Sequence, residues 1–377
     1  MTSLAQQHSA VNLSQGFPDF DGPKEVQNAA ARAMDSGHNQ YAPMPGVPVL
    51  REAVAEWWKN STGLDADTAR EITITNGCTG ALAAAMLGLI EPGDAVVVFE
   101  PFYDAYLPDL AMAEADVLPV SLQPVDGRFV FDEHDLRAAF ANKPRAVLLN
   151  TPHNPTGKVF SLDELQLIAS LCVEHNVIAI TDEVYETLTY ETDRPHCSLA
   201  MLPGMRERTL TLSSIGKTFS LTGWKIGWAI GPEDLTRALR SAHQFLAYAV
   251  STPLQHGAAH ALRHERAYIE MLRAQYTTAR SFMLNVLADV GFDPIAPEGT
   301  YFIIADHSRL STRLGLEDDV ALCRFLTRDI GVAAIPPSAF YRDGAGGKTL
   351  VRFAFCKTQA TLQEAAKRLA ALRRLHP

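Results

Sequence analysis

The segment Ser213 to Trp228, SSIGKTFSLTGWKIGW, sets a lysine among small residues just after the apolar run TLTL, Thr209 to Leu212. Lys217 is therefore expected at the carboxyl end of a strand, where open α/β sheets hold their ligands. Desolvation and nearby positive charge lower a lysine's pKa toward the neutral, nucleophilic amine, which can form an imine with an aldehyde. Ser214 stands three residues before it and Lys225 eight after, so both could hold a phosphate to one side. The segment suits an anionic aldehyde as cofactor. Gly216 to Thr218 also reads as the tail of a nucleotide-binding P-loop, but that motif needs glycine where this chain has Thr211.

Two further apolar runs end in polar residues. AVLLN (Ala146 to Asn150) leads into TPHNPTG, and VIAIT (Val177 to Thr181) into DEVY. Parallel strands joined by right-handed crossovers bring such ends side by side, which would gather Asn154, Asp182, Tyr185 and Lys217 in one crevice. Each has an ordinary alternative: Asn154 as a turn former, Asp182 as a helix N-cap, Tyr185 as a core phenol. Their coincidence at three successive strand ends favours function. Upstream, ITITNGCTGALAAAMLGLIEPGD reads as strand, glycine turn (Gly77 to Gly80) and helix. A helix N-terminus opened this way favours an anion, with the amides of Cys78 and Thr79 as donors beside Ser214 and Lys225.

The elements that must position these residues follow from pattern. Between about residues 40 and 259, β-branched runs alternate with helical periodicity: VVVF (Val96 to Phe99), AVLLN, VIAIT, TLTL and IGWAIG (Ile226 to Gly231) are strand candidates. Ser161 to His175 reads as a helix with Ser161 and Glu164 as a capping box and Leu165, Ile168, Leu171 and Cys172 along one face. Near-continuous apolar strands joined by helices imply an α/β fold with a largely parallel sheet covered on both sides. After Pro253 the texture turns to long helical stretches, the strands TYFIIAD and VRFAF, and a closing helix. The expected division is a large domain over residues 36–262 and a smaller α+β domain over 1–35 and 263–377.

A chain of 377 residues with 47% apolar content and a net charge of -10 is expected to be a two-domain globular protein with no nucleic-acid partner. The start MTSLAQQHSAVNLSQG has no basic segment followed by an apolar run, and Ala81 to Ile90 is too short to cross a bilayer, so a soluble, cytoplasmic protein is expected. Cys78, Cys172, Cys197, Cys323 and Cys356 are scattered without metal-binding spacing and read as reduced thiols.

NTPHNPTG, ITDEVY and SSIGKTFSLTGWKIGW resemble the class I/II aminotransferases of fold type I, which use pyridoxal 5'-phosphate. The resemblance runs from VNLSQGFPDF to VRFAFCK, with the kynurenine/glutamine/methionine transaminases as the nearest branch. It implies that Lys217 bonds the cofactor aldehyde, that Asp182 pairs with the pyridinium nitrogen, and that Asn154 and Tyr185 hydrogen-bond the ring's phenolic oxygen. Tyr103 would stack on the ring. Arg352, in VRFAF, would take the substrate α-carboxylate in a bidentate grip, with the Gly16 amide on the same group and Phe340 beside it. Tyr41 and Tyr248 would enter the partner's site across a homodimer.

Most of the wider family has arginine where Lys225 stands, whereas this branch often has lysine. The expected donor pocket, formed by Phe17, Tyr41, Tyr103, Tyr106, Tyr248 and Phe340, has no second arginine for a distal carboxylate. Methionine, glutamine or aromatic amino acids are therefore expected as donors, in a ping-pong exchange with a 2-oxo acid. The alternatives on the same scaffold are a cysteine-conjugate β-lyase and an N-succinyldiaminopimelate aminotransferase. A sensor role in a transcription regulator would need a DNA-binding module, for which no room is expected before VNLSQGF.

Overall fold

The computed structural model describes residues 1–191, 195–344 and 346–375. Seven strands build the central sheet: β1 (Ile72–Asn76), β2 (Ala95–Glu100), β3 (Asp116–Ser121), β4 (Ala146–Asn150), β5 (Ile178–Asp182), β6 (Thr209–Ser214) and β7 (Ile226–Ile230). Their order is β1-β7-β6-β5-β4-β2-β3. Only β7 runs against its neighbours, pairing antiparallel with β1 and β6. β4, β5 and β6 are adjacent and parallel, and Asn150 lies level with Asp182. The predicted convergence of three strand ends is thus a consequence of sheet order. The five expected strands all form; β3 was not expected, because DVLPVS is half-exposed and carries Pro119, a residue suited to a sheet edge.

Helices cover both faces. α1 (Lys24–Asp35) and α2 (Pro48–Thr62) precede the sheet, and α3 (Gly77–Leu89) follows β1. α4 (Tyr106–Met112) follows β2, and α5 (Leu162–His175) joins β4 to β5. In α5 the Ser161 hydroxyl accepts from the Glu164 amide at 3.2 Å while the Glu164 carboxylate accepts from the Ser161 amide at 2.7 Å, the reciprocal cap that the sequence announces. Its inward residues Leu165, Ile168, Leu171 and Cys172 are buried against the sheet. After β7 come α6 (Glu233–Leu246), α7 (Thr252–His264) and the long α8 (Arg266–Asp289). Val26 of α1 packs in one apolar cluster with Leu50 and Val54 of α2 and Ala258 of α7.

The C-terminal part holds a second, antiparallel sheet of β8 (Asp293–Ile295), β9 (Phe302–Asp306) and β10 (Leu350–Ala354). Tyr301, Phe302, Phe353 and Phe355 join one continuous core with α3, α8 and the central sheet. A short parallel pair, Val11–Asn12 with Val332–Ala333, ties the N-terminal segment to this side. No helix of the described residues is long and apolar enough to cross a membrane.

The start of α3 is wedged against β7. A Cβ on Gly227 would lie 2.5 Å from the carbonyl carbon of Gly77 and 2.7 Å from the amide nitrogen of Cys78, both of them backbone atoms that cannot swing aside. Gly227→Ala should therefore cost about 1–3 kcal/mol, the range for overpacking. Urea denaturation measures it, and an unchanged midpoint would contradict this close approach.

Candidate active site

A cavity of about 540 Å³ opens beyond the carboxyl ends of β4, β5 and β6 and reaches β10 of the second sheet. Lys217 enters it from the short helical turn Ile215–Thr218 after β6. Its Nζ lies 3.3 Å from the Gly16 carbonyl oxygen, and 6.0 and 5.8 Å from the ring centres of Tyr185 and Tyr301. Burial pushes its amine below the ordinary lysine range; Cys356 and Asp182 oppose that shift, and the positive charges of Lys225 and Arg352 add to it. That favours the neutral amine a carbonyl reaction needs.

Asp182 closes β5 and is buried at the cavity floor. Its Oδ2 accepts from the Tyr106 hydroxyl at 2.8 Å; among the described residues its Oδ1 has only the Val184 amide at 3.4 Å and the Cys78 thiol at 3.5 Å. Burial raises its pKa, while the Tyr106, Val184 and Cys78 donors pull it down. Tyr185 is buried three residues on, edge-on to Tyr301 with ring centres 5.3 Å apart. The Asp182 carbonyl accepts from Asn150 Nδ2 at 2.8 Å, and Asn150 Oδ1 accepts from the Asn154 amide at 2.6 Å. Asn150 therefore holds the HNPTG turn onto the neighbouring strand end.

On one side the cavity meets the N-terminus of α3. Gly77, Cys78 and Thr79 line it, with Ser214, whose side chain caps no helix, and Lys225, whose Nζ donates to Thr79 Oγ1 at 3.3 Å. Unpaired helix amides and an ammonium together make an anion cradle. On the other side Arg352 is buried in mid-strand. Its guanidinium carbon lies 4.1 Å from the ring centre of Phe302 and 4.8 Å from that of Phe340. Nη1 donates to Asn154 Oδ1 at 2.8 Å and Nη2 to the Ser14 carbonyl at 3.3 Å, and the buried Nε has no partner among the described residues. Burial pushes its pKa down to about 10. A guanidinium with an unmet donor at a cavity wall suits a carboxylate.

Gly16 faces the same space. Its carbonyl accepts from Tyr301 and Lys217, and a Cβ there would lie 2.5 Å from Phe302 Cζ. Phe17 is 43% exposed at the rim, with its carbonyl accepting from Lys357 Nζ at 2.6 Å. Tyr103 lines the wall, and burial pushes its phenol up to about 12.

Three expected pocket residues lie elsewhere. Tyr41 and Tyr248 are 86% and 48% exposed, outside the cavity, and touch edge to face with ring centres 5.6 Å apart. Tyr106, expected as donor lining, is instead wholly buried beneath the floor, because the turn that points Tyr103 into the cavity points Tyr106 at Asp182. The sequence reading also passed over three residues. Asn150 reads as the end of its strand, Tyr301 carries no signal of its own, and Asp104 stands directly after Tyr103 in sequence.

A doubly covered, mostly parallel sheet with a lysine and an aspartate at its strand ends, facing an arginine of a second sheet across one cavity, defines a fold type I transferase. The chain matches the model of the family "Aminotransferase class I and II" over residues 8–369 and belongs to that family. It is 45% identical over 381 residues to a probable N-succinyldiaminopimelate aminotransferase of Mycobacterium tuberculosis, covering 99% of this chain and 94% of that protein. It is 41% identical over 372 residues to the methionine aminotransferase of Escherichia coli, covering 99% and 94%. The solved structure of N-succinyldiaminopimelate aminotransferase from M. tuberculosis superposes with a TM-score of 0.95 at 45% identity, covering 99% of this chain and 96% of that one. The chain is an aminotransferase.

Behind the site, DEVYE supplies a second acidic pair. Glu183 accepts from the hydroxyls of Thr181 and Ser198, each at 2.9 Å, and pairs with His196 Nε2 at 2.7 Å. Glu186 accepts from Trp57 Nε1 at 3.2 Å and Ser213 Oγ at 3.1 Å. Burial first, and Glu183 second among the raising influences, push Glu186 from an ordinary 4.5 up to about 7. A carboxyl whose folded pKa is raised contributes stability that is full below its unfolded pKa and is lost as pH rises through the folded one. Wild-type stability should therefore fall relative to Glu186→Gln between about pH 4.5 and 7 and run parallel above. Chemical denaturation across that window measures it, and a pH-independent difference would contradict the assignment.

Proposed function

We propose that this aminotransferase binds pyridoxal 5'-phosphate in the 540 Å³ cavity and moves the amino group of an apolar or aromatic L-amino acid, methionine foremost, to a 2-oxo acid. The observation that carries the reading is the joint exposure to one cavity of an amine lowered by burial, a carboxylate on the floor and an arginine with an unmet donor. The donor set fits the cofactor. Lys217 would bond its aldehyde, Asp182 its ring nitrogen, and Asn154 and Tyr185 its phenolic oxygen. Tyr103 would cover the ring, while the Cys78 and Thr79 amides, Ser214 and Lys225 would hold the phosphate. When bound, the cofactor supplies an electron sink that makes the substrate's Cα hydrogen acidic.

The chain's own residues do the rest. Arg352, clamped between two rings, fixes the α-carboxylate together with Gly16, and Phe17 and Phe340 bound the space for the side chain. The Lys217 amine, once free, would take the proton from Cα and hand it to the cofactor's former aldehyde carbon within the same half of the exchange, and would run that transfer in reverse in the second half, as general base and acid. Among the described residues the cationic side chains lining the cavity are Lys217, Lys225 and Arg352, with Asp104 and the N-terminal Met1 also on its wall. None is spare for a distal carboxylate, which supports methionine, glutamine or kynurenine over aspartate. The 45% identity to the mycobacterial protein favours a second reading, an N-succinylated diamino acid as donor.

A homodimer is part of the proposal. Tyr41, Phe245, Leu246 and Tyr248 expose large apolar side chains, and a second copy would both cover them and bring Tyr41 and Tyr248 to the neighbouring cavity. The five free cysteines support a reducing, cytoplasmic setting.

Apoprotein treated with pyridoxal 5'-phosphate and then borohydride should carry the reduced adduct on Lys217 by peptide mapping, and Lys217→Ala should lose turnover by roughly 10²–10⁴-fold or more. A labelled lysine elsewhere, or full activity without Lys217, would overturn the site. A donor panel of methionine, glutamine, kynurenine, aspartate and N-succinyl-LL-diaminopimelate should rank methionine, glutamine or kynurenine first by kcat/KM. Preference for the succinylated donor would select the second reading, and preference for aspartate would refute both.

A further inference from the structure

Asp182 receives its donors unevenly. The Tyr106 hydroxyl sits on Oδ2 at 2.8 Å, whereas Oδ1 has two long contacts, 3.4 Å to the Val184 amide and 3.5 Å to the Cys78 thiol. Cys78 and Val184 line the cavity and Tyr106 does not, so Oδ1 is on the cavity side of the carboxylate and Oδ2 on the core side. Tyr106 is 2% exposed. It opens α4 through a turn in which its amide donates to the Tyr103 carbonyl at 3.0 Å, and its ring stands edge-on to Tyr103 with centres 5.6 Å apart. One buried phenol thus touches both the floor carboxylate and the aromatic wall.

We infer that Tyr106 is a positioning residue: its hydroxyl anchors Oδ2 of Asp182 and so presents Oδ1 to the ring nitrogen of the bound cofactor. The inference rests on the reading above, that pyridoxal 5'-phosphate occupies this cavity. Three physical points carry it. A carboxylate with one oxygen held by a short hydrogen bond loses its freedom to rotate, and the second oxygen is aimed. A neutral hydroxyl donor stabilises the ionised carboxylate, which in turn keeps the facing ring nitrogen protonated. Burial also pushes the phenol's own ionisation well above 10, so it remains a donor at every pH at which the protein works. A plain core tyrosine would need only some partner for its hydroxyl; here the partner is the group that sets the cofactor's charge.

Tyr106→Phe keeps the ring and removes the donor. With wild type first shown to bind the cofactor and to label at Lys217, the variant should fold, as circular dichroism checks, and should bind the cofactor more weakly. Its kcat should drop roughly ten-fold with KM little changed, the size expected for one lost hydrogen bond to a charged acceptor. The nitrogen-15 resonance of ring-labelled cofactor should move from the pyridinium toward the neutral pyridine position, a readout that a loosened core alone would not move in that direction. Fluorotyrosine placed at 106 strengthens the donor and should keep the shared proton on the ring nitrogen rather than on Asp182, leaving the resonance at the pyridinium end at neutral pH. Cys78→Ala, which removes only a long contact, should change the resonance less than Tyr106→Phe.

An unmoved resonance and unchanged kcat in Tyr106→Phe would overturn the inference while leaving the cofactor reading intact. If fluorotyrosine shifts the resonance the same way as phenylalanine, the inference also fails. Wild type that neither binds the cofactor nor labels at Lys217 would sink the reading on which it rests.

Discussion

One hydrogen bond between neighbouring strand ends organises the site: Asn150 Nδ2 donates to the Asp182 carbonyl across the β4–β5 register. Oδ1 of the same side-chain amide accepts from the Asn154 backbone amide, and Asn154 Oδ1 in turn accepts from Arg352 of the second sheet. A chain of hydrogen bonds therefore links the backbone of the floor aspartate to the guanidinium on the far wall. A slip of one residue in the β4–β5 pairing would turn every alternate side chain to the opposite face and break that chain at its first link. The apolar, fully buried strands on either side are what forbid the slip, since their side chains pack against helices on both faces.

The second organising fact is a set of cations, from the buried Arg352 to the exposed Lys225, around one buried carboxylate. Lys217, Lys225 and Arg352 surround a single buried carboxylate at the floor, so the cavity is locally basic inside a chain of net charge -10. Burial acts in the same sense on all three of the perturbed groups: it disfavours the charged form of Lys217, Arg352 and Asp182 alike. Anionic ligands would relieve that cost on the cationic side, which is the physical basis for proposing a phosphate at one end and a carboxylate at the other.

Much of this was legible in the sequence because the strands that matter are short, almost wholly apolar and terminate abruptly in polar letters. AVLLN, VIAIT and TLTL announced both the sheet and the position of Asn154, Asp182 and Lys217. What stayed hidden depends on direction rather than on residue type. Tyr103 and Tyr106 share one short motif, and only the geometry of the turn decides that one faces the cavity and the other the core. Asn150 reads as an ordinary last strand residue until its amide is seen bridging two elements. Tyr301 meets Gly16 across 285 positions of sequence, a distance over which no local pattern carries information. The half-exposed edge strand β3 with its internal proline escaped for a related reason, since an edge needs neither continuous apolarity nor a full set of amide donors.

The clamp on Arg352 also bears on stereochemistry. A cation held against Phe302 and Phe340, with Nη1 and Nη2 already donating to Asn154 and to the Ser14 carbonyl, is fixed in its orientation. With the carboxylate fixed there and the amino nitrogen placed near Lys217, the tetrahedral centre between them has two points of attachment already decided. Only one mirror image then directs its hydrogen at the lysine, and the other directs its side chain there instead. On the proposed reading, the handedness of the accepted amino acid follows from where Arg352 and Lys217 stand on the two sides of the cavity.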